Sequence, residues 1–254
     1  MMSVRQLQGR VNERVREWDV LVEDSLETQS SFIVFGKRGN QPVVLKVLRQ
    51  PGDEWRSGEV LDAFNGMGVV RVLEYVEGAV LLERLSPGTS LLGLALSGRD
   101  EEATEILIEV IQGMCCASRT LEGFVTVEDW GKGFQRYLES GDNQVPGSLV
   151  VQGQELYLKL CASQRRRRLL HGDLQHYNVV FDTYRGWLAI DPKGVVGEIE
   201  YEIGASLRNP YENPELFASP EAVERRLKRF EAGLKLDCER ALEWGFAQAV
   251  LSAI

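Results

Sequence analysis

Apolar side chains recur at Val4, Leu7, Val11, Val15 and Trp18, the spacing that gathers one face of a helix, so an amphipathic helix is expected over residues 4–18. The period then shortens. Residues 20–22, 31–35 and 42–48 are rich in β-branched and aromatic side chains and read as strands, with Lys37-Arg38-Gly39-Asn40 as a hairpin turn. A helix is expected over 53–65, ended by Gly66 and Gly68. Strands over 69–75 and 79–83 follow, joined at Glu77-Gly78. At Ser86-Pro87-Gly88 the pattern changes to helical. Helices are expected near 91–96, from 100 to about Arg119, near 127–138 and near 148–163, and again after Pro220. One β-ribbon interrupts them: residues 179–181 and 187–190 about a turn at 182–186. The order predicts an α+β fold of two lobes. Residues 1–85 would form a small antiparallel β-sheet with one main helix, and residues 86–254 a larger, mostly helical part.

The ribbon carries the chemistry. It is preceded by His171-Gly172-Asp173-Leu174-Gln175-His176-Tyr177-Asn178 and ends in Ile190-Asp191. Closing it about its turn brings Asn178 near Asp191, since residues across an antiparallel pair lie roughly 5 Å apart. Two hard oxygens at that separation suit magnesium, whose ligands sit at about 2.1 Å. Asp173 lies in the loop feeding the same end. One carboxylate to orient a hydroxyl, with an amide and a second carboxylate to hold magnesium on a nucleoside triphosphate, is what phosphoryl transfer requires. Any one of these residues alone would more often close a turn. Their combination is what points to catalysis.

Further parts are consistent with that chemistry. Lys46 stands mid-strand, where an interior lysine needs a reason. The following helix offers Glu59 as its partner, with Glu54 the alternative. The turn Gln29-Ser30-Ser31 occupies the place of a phosphate-covering loop, through backbone N–H groups and the hydroxyls of Ser30 and Ser31. Glu83 and Leu85, at the handover between the two parts, would offer backbone groups to an adenine edge. His171 reads as a brace for the loop. A two-histidine iron site is a poor alternative, because the chain has only His171 and His176.

Composition narrows the partners. The net charge is −9, from 38 acidic and 29 basic residues, which disfavours nucleic acid and anionic membranes and is compatible with a cationic small substrate. Four cysteines lack metal-site spacing and fit a reducing cytosol. No apolar run approaches the roughly 20 residues of a membrane span, and the arginine-bearing first helix lacks the apolar core of a signal peptide. A cytoplasmic enzyme is expected, as a monomer or weak homodimer.

The chain resembles the kinase-like phosphotransferases, and most closely the aminoglycoside/hydroxyurea antibiotic resistance kinase family. The resemblance is carried by Pro42–Val47, Gly68–Leu73, Leu81–Leu85, Leu170–Val180, Trp187–Gly197 and Leu207–Pro210, in family order over most of the chain. The run Ala189-Ile190-Asp191-Pro192-Lys193-Gly194 is specific to this branch. The resemblance implies a protein-kinase-like fold with ATP and Mg2+ in an interlobe cleft. It implies Asp173 as catalytic base, Asn178 and Asp191 as metal ligands, and Lys46 with Glu59 on the phosphates. Tyr177 is bulkier than the family's usual neighbour of the metal-binding Asn. The expected acceptor is a small-molecule hydroxyl, on an aminoglycoside or aminocyclitol antibiotic or on hydroxyurea. Candidate acceptor contacts are Glu198, Glu200, Glu202, Arg208 and Asn209. A kinase for a sugar, amino sugar or amino alcohol, or a non-catalytic nucleotide binder, remain the alternatives.

Overall fold

A computed structural model describes residues 4–116 and 121–254. Its elements run α1 (Val4–Glu17), β1 (Leu21–Glu27), β2 (Ser31–Arg38), β3 (Gln41–Leu48), α2 (Ser57–Phe64), β4 (Val72–Val76) and β5 (Ala79–Glu83). Next come β6 (Pro87–Ser90), α3 (Leu92–Leu96), α4 (Asp100–Cys115), α5 (Val127–Ser140), α6 (Gly147–Ala162), β7 (Arg168–Leu170), β8 (Val179–Asp182) and β9 (Gly186–Ala189). The chain ends with β10 (Val195–Gly197), α7 (Ile199–Glu202), α8 (Gly204–Leu207), α9 (Pro214–Phe217), α10 (Pro220–Leu234) and α11 (Cys238–Ala253).

Among the described residues, β1 to β5 form one antiparallel sheet in the order β1-β2-β3-β5-β4. The two-residue period of β3 decides what each face does. Val43, Leu45 and Val47 point to one side and join Leu7, Val11 and Trp18 of the first helical segment in a buried cluster. Val44 and Lys46 point to the other side, into the cleft beneath the sheet. The hydrophobic stripe of α1 therefore covers one face; on the opposite face α2 packs against Val80 and Leu82, and a cavity remains beside Val44 and Lys46. Each large side chain fully buried in that cluster contributes about 1.5–3 kcal/mol.

The second part packs helices around two small ribbons. In one, β6, β8 and β9 lie side by side; in the other, β7 pairs with β10. Backbone bonds stitch the parts together: Val70 N donates to Ala189 O (3.0 Å), and Ala189 N to Gly68 O (2.9 Å). Gly68 has φ +71°, and a Cβ there would collide with the backbone of α4 at Val110, so only glycine fits. The larger core rests on α4 and α10, and a second on α5, α6 and α11, where Tyr157, Tyr201 and Trp244 meet edge to face. Thr126 and Asp129 form a capping box that starts α5, and Ser219 followed by Pro220 starts α10.

Boundaries differ from the sequence expectations where local turns intervene. The helix expected from residue 53 starts at Ser57, because Trp55 N bonds Gly52 O and Ser57 N bonds Glu54 O in preceding turns. Strand β1 is longer than expected and β4 starts later. The expected end of the long helix near Arg119 lies outside the described residues. No helix among the described residues is long and apolar enough to cross a membrane.

Candidate active site

The loop after β7 is held from below by Glu202. Its carboxylate accepts hydrogen bonds from His171 N (2.6 Å) and Gly172 N (3.1 Å). Burial pushes this carboxyl up to about 7, opposed by the backbone donors it binds. His171 is fully enclosed. Its Nε2 donates to Ile190 O (2.8 Å) and its Nδ1 accepts from Asp173 N (3.3 Å). Burial pulls its pKa down, so the ring stays neutral and can serve one donor and one acceptor. The imidazole thereby ties the loop carrying Asp173 to the strand end carrying Asp191.

Asn178 closes the loop. Its amide Nδ2 donates to Asp173 O (2.9 Å), and its own carbonyl accepts from Ile190 N (2.9 Å). The β8–β9 pairing places Val179 opposite Ala189, so Asn178 and Asp191 emerge at the same end of the ribbon. Asp191 holds a left-handed backbone (φ 57°), costing roughly 1–2 kcal/mol for a residue with a Cβ. Its Oδ1 lies 2.8 Å from Lys46 Nζ.

Lys46 is nearly enclosed and makes a second ion pair, to Glu54 Oε2 at 2.6 Å. Burial acts to lower the ammonium's pKa, but Asp191 and Glu54 together outweigh it and leave it raised. The carboxylate on Lys46 is thus Glu54 and not Glu59. Glu59 sits in the first turn of α2 and bonds Arg56 Nε at 2.7 Å. The turns over 53–56 stand where the sequence predicts the start of the helix, and Glu54 reaches Lys46 from them.

Lys46 and Asp191 stand at one end of a cavity of about 410 Å³ whose walls include Ile33, Val44, Leu82, Val180 and Ile190. Glu83 and Leu85 line it. The Glu83 carboxylate, however, is engaged by Arg71 N (2.8 Å) and by Arg185 of the β8–β9 turn. Ser30 and Ser31 do not line this cavity. Ser31 is buried with its Oγ on Thr28 Oγ1 (2.9 Å) in the β1–β2 turn, and Ser30 O accepts from Arg49 N (2.9 Å), extending the β2–β3 pairing.

A second cavity of about 550 Å³ opens beside Asp173, with Trp130, Tyr137 and Tyr201 as aromatic walls. Asp53, Asp142, Lys193 and Arg208 also line it. Arg208 donates to Gln248 Oε1 (2.6 Å), and burial lowers its pKa against the opposing pull of Asp173. The other expected acceptor contacts are turned elsewhere. Glu198 is 1% exposed and accepts from Trp244 Nε1 (2.5 Å), Arg165 N (3.1 Å) and Arg240. Glu200 faces Asp237 N, and Glu202, 2% exposed, supports the loop as described. Asn209 donates to Ala205 O (2.9 Å) while its carbonyl accepts from Arg226 (2.7 Å). These carboxylates are interior braces, since a buried charge persists only when its partners are supplied internally. Lys193 belongs to the sequence motif, but nothing in the pattern says where its side chain points; the fold brings it to this chamber.

An apolar slot lined by Lys46 and Asp191, and a more polar chamber lined by Asp173 and Lys193, mark a small-molecule kinase of the protein-kinase-like fold. The chain belongs to the aminoglycoside/hydroxyurea antibiotic resistance kinase family, which matches residues 18–254. It is 33% identical over 244 residues to streptomycin 3''-kinase of Klebsiella pneumoniae, covering 94% of this chain and 89% of that one. It is 29% identical to hydroxyurea phosphotransferase of Kitasatospora aureofaciens, covering 99% and 73%. In fold it matches aminoglycoside phosphotransferase APH(4)-Ia with a TM-score of 0.60 and 17% identity, covering 97% and 98%. A thermostable mutant of that protein has been solved in a ternary complex with ADP and hygromycin B.

Proposed function

We propose that the chain transfers the γ-phosphoryl group of ATP to a hydroxyl of an aminoglycoside antibiotic of the streptomycin type. The observation that carries this reading is the size and lining of the chamber at Asp173. Its 550 Å³ falls within the roughly 300–1,000 Å³ that hold drug-sized ligands and far exceeds the needs of hydroxyurea. Asp53, Asp142 and Asp173 give it carboxylates for a cationic guest. The net charge of −9 favours approach of a polycation. The substrates named for the Klebsiella relative and bound in the APH(4)-Ia complex agree with this choice.

In this reading residues 1–85 hold most of the nucleotide, with adenine in the apolar slot, and residues 86–254 hold the acceptor, with Asp53 reaching its chamber from the first part. Lys46, fixed by Glu54, binds the phosphates. Asn178 and Asp191 offer an amide oxygen and a carboxylate, the hard-oxygen donors that fit magnesium, which takes one or two carboxylates and leaves its other positions to phosphate and water. When bound, the metal neutralises charge on the phosphates. Asp173 accepts a hydrogen bond from the acceptor hydroxyl and takes its proton as the oxygen bonds to the γ-phosphorus. The bond from that phosphorus to the bridging oxygen breaks, and ADP leaves with the electron pair. The transition state is loose, so positioning and charge neutralisation supply most of the acceleration.

Incubation with ATP and streptomycin, followed by mass spectrometry, tests the proposal. The wild type is expected to add one phosphoryl group, and Asp173→Ala to lose the activity while still binding ADP. Near-normal turnover by that variant, or phosphorylation of hydroxyurea with streptomycin untouched, overturns it.

A further inference from the structure

Phosphoryl transfer spreads negative charge over the oxygens of the group in flight, and the site must meet it there with cations. On the nucleotide side that cation is Lys46. On the acceptor side the loop from Asp173 to Asn178 supplies none. Leu174 and His176 are buried, Gln175 turns inward to accept from Tyr177 N (2.8 Å), and Tyr177 points to Glu212.

Lys193 fills the gap from the opposite loop. Its backbone is clamped to the loop of Asp173: Lys193 N and Gly194 N both donate to His171 O, each at 3.0 Å. Gly194 has φ +76°, and a Cβ there would overlap Val60 of α2, so the loop passes too close to that helix for any other residue. The side chain therefore starts from a fixed point. Its Nζ lies 3.7 Å from Asp173 Oδ2 and 3.7 Å from Asp53 Oδ2.

Those distances separate it from Lys46, whose ammonium sits at 2.6 and 2.8 Å from its carboxylates and is 8% exposed. Hydrogen bonds of N–H to O fall at about 2.7–3.2 Å. Lys193 is 31% exposed, borders the chamber, and is hydrogen-bonded tightly to neither neighbour. Its donors are available to a new oxygen beside the carboxylate that would orient the acceptor.

We propose that Lys193 is a further catalytic residue, whose ammonium contacts the phosphoryl group as it passes from ADP to the acceptor oxygen held by Asp173. The proposal rests on the phosphotransferase reading above. It forms and breaks no bond of its own; Lys193 donates hydrogen bonds to phosphoryl oxygens before and after transfer and keeps its proton.

The test compares wild type, Lys193→Met, Lys193→Gln and Lys193→Arg with ATP and streptomycin. Removing one such donor costs about 10²–10³-fold in kcat in comparable sites. The Met and Gln variants are expected to lose kcat on that scale, with KM for both substrates within about threefold, and Lys193→Arg to recover at least about tenfold. Inhibition by ADP with aluminium fluoride, a planar anion standing where the phosphoryl passes, is expected to weaken at least about tenfold in Lys193→Met while ADP alone binds as in wild type. A kcat within about threefold of wild type in folded Met or Gln variants overturns the proposal. So does a loss confined to KM. A lost kcat with unchanged aluminium fluoride inhibition overturns it too, leaving Lys193 as a brace for Asp173. Should wild type ignore streptomycin, the acceptor reading falls, and the same variants are compared on phosphoryl transfer to water. Absence of any transfer by wild type removes both.

Discussion

Glu202 gives the folded chain a pH dependence that can be isolated by one substitution. Its carboxyl is pushed up to about 7 by burial, from an ordinary 4.5. A raised acid binds its proton more tightly in the folded state than in the unfolded one. The contribution to stability is therefore fully present below about 4.5 and is lost as the pH rises through about 7. Each pKa unit corresponds to 1.36 kcal/mol, so the group removes about 3 kcal/mol of stability between those limits. His176 acts in the opposite sense. Its pKa is lowered to about 3 from 6.5, so its contribution is present above 6.5 and is lost as the pH falls. His171 shifts in the same direction. The raw stability curve thus mixes opposing terms, and the informative quantity is the difference between wild type and Glu202→Gln, in which both histidines cancel. Glutamine presents an N–H toward one of the loop's donors, an offset of about 1–3 kcal/mol that does not vary with pH. Urea unfolding followed by the fluorescence of the five tryptophans measures both. The advantage of wild type over the variant is expected to shrink by about 2.4 kcal/mol from pH 5 to 7.5. A difference flat to within about 1 kcal/mol refutes the reasoning that burial, and not the backbone donors, dominates the environment of this carboxyl.

Two further outcomes follow from the geometry. Glu54→Gln is expected to reduce kcat/KM for ATP by at least about tenfold, or 1.4 kcal/mol, and Glu59→Gln by less than about twofold; the reverse order would return the lysine partnership to Glu59. Gly194→Ala combines a positive φ with overlap against Val60 and is expected to destabilise by about 2–4 kcal/mol in thermal or urea unfolding; an unchanged midpoint would show that the loop moves freely.

The sequence made the ribbon and its flanking loop legible because their signals are local. Alternation over 179–190 sets the strand period, and Gly186 closes the turn with φ +74°. Lys46 stood out because charge is rare in the middle of an apolar strand. Its carboxylate partner was not legible, since choosing Glu54 over Glu59 depends on turns over 53–56 that interrupt helical spacing. The acidic run at 198–202 misled for a related reason. Polarity suggested a surface facing the acceptor, yet Glu198 satisfies Trp244 and Arg240 and Glu202 satisfies two backbone donors, partners distant in sequence. Strands as short as β7 and β10 carry no period to detect, and are defined by pairing with each other. Sequence order reports which groups are present; long-range burial decides which of them face the cleft.

The gathering of Asp173, Asn178 and Asp191 about one nucleotide-bound metal is tested most directly by a crystal structure with AMP-PNP, magnesium and streptomycin. The expected result places the metal on the Asn178 amide oxygen and the Asp191 carboxylate, Lys46 on the phosphates, and one streptomycin hydroxyl within about 2.6–3.2 Å of Asp173. A metal bound away from Asn178 and Asp191, or an acceptor whose hydroxyls all lie beyond reach of Asp173, would contradict the account.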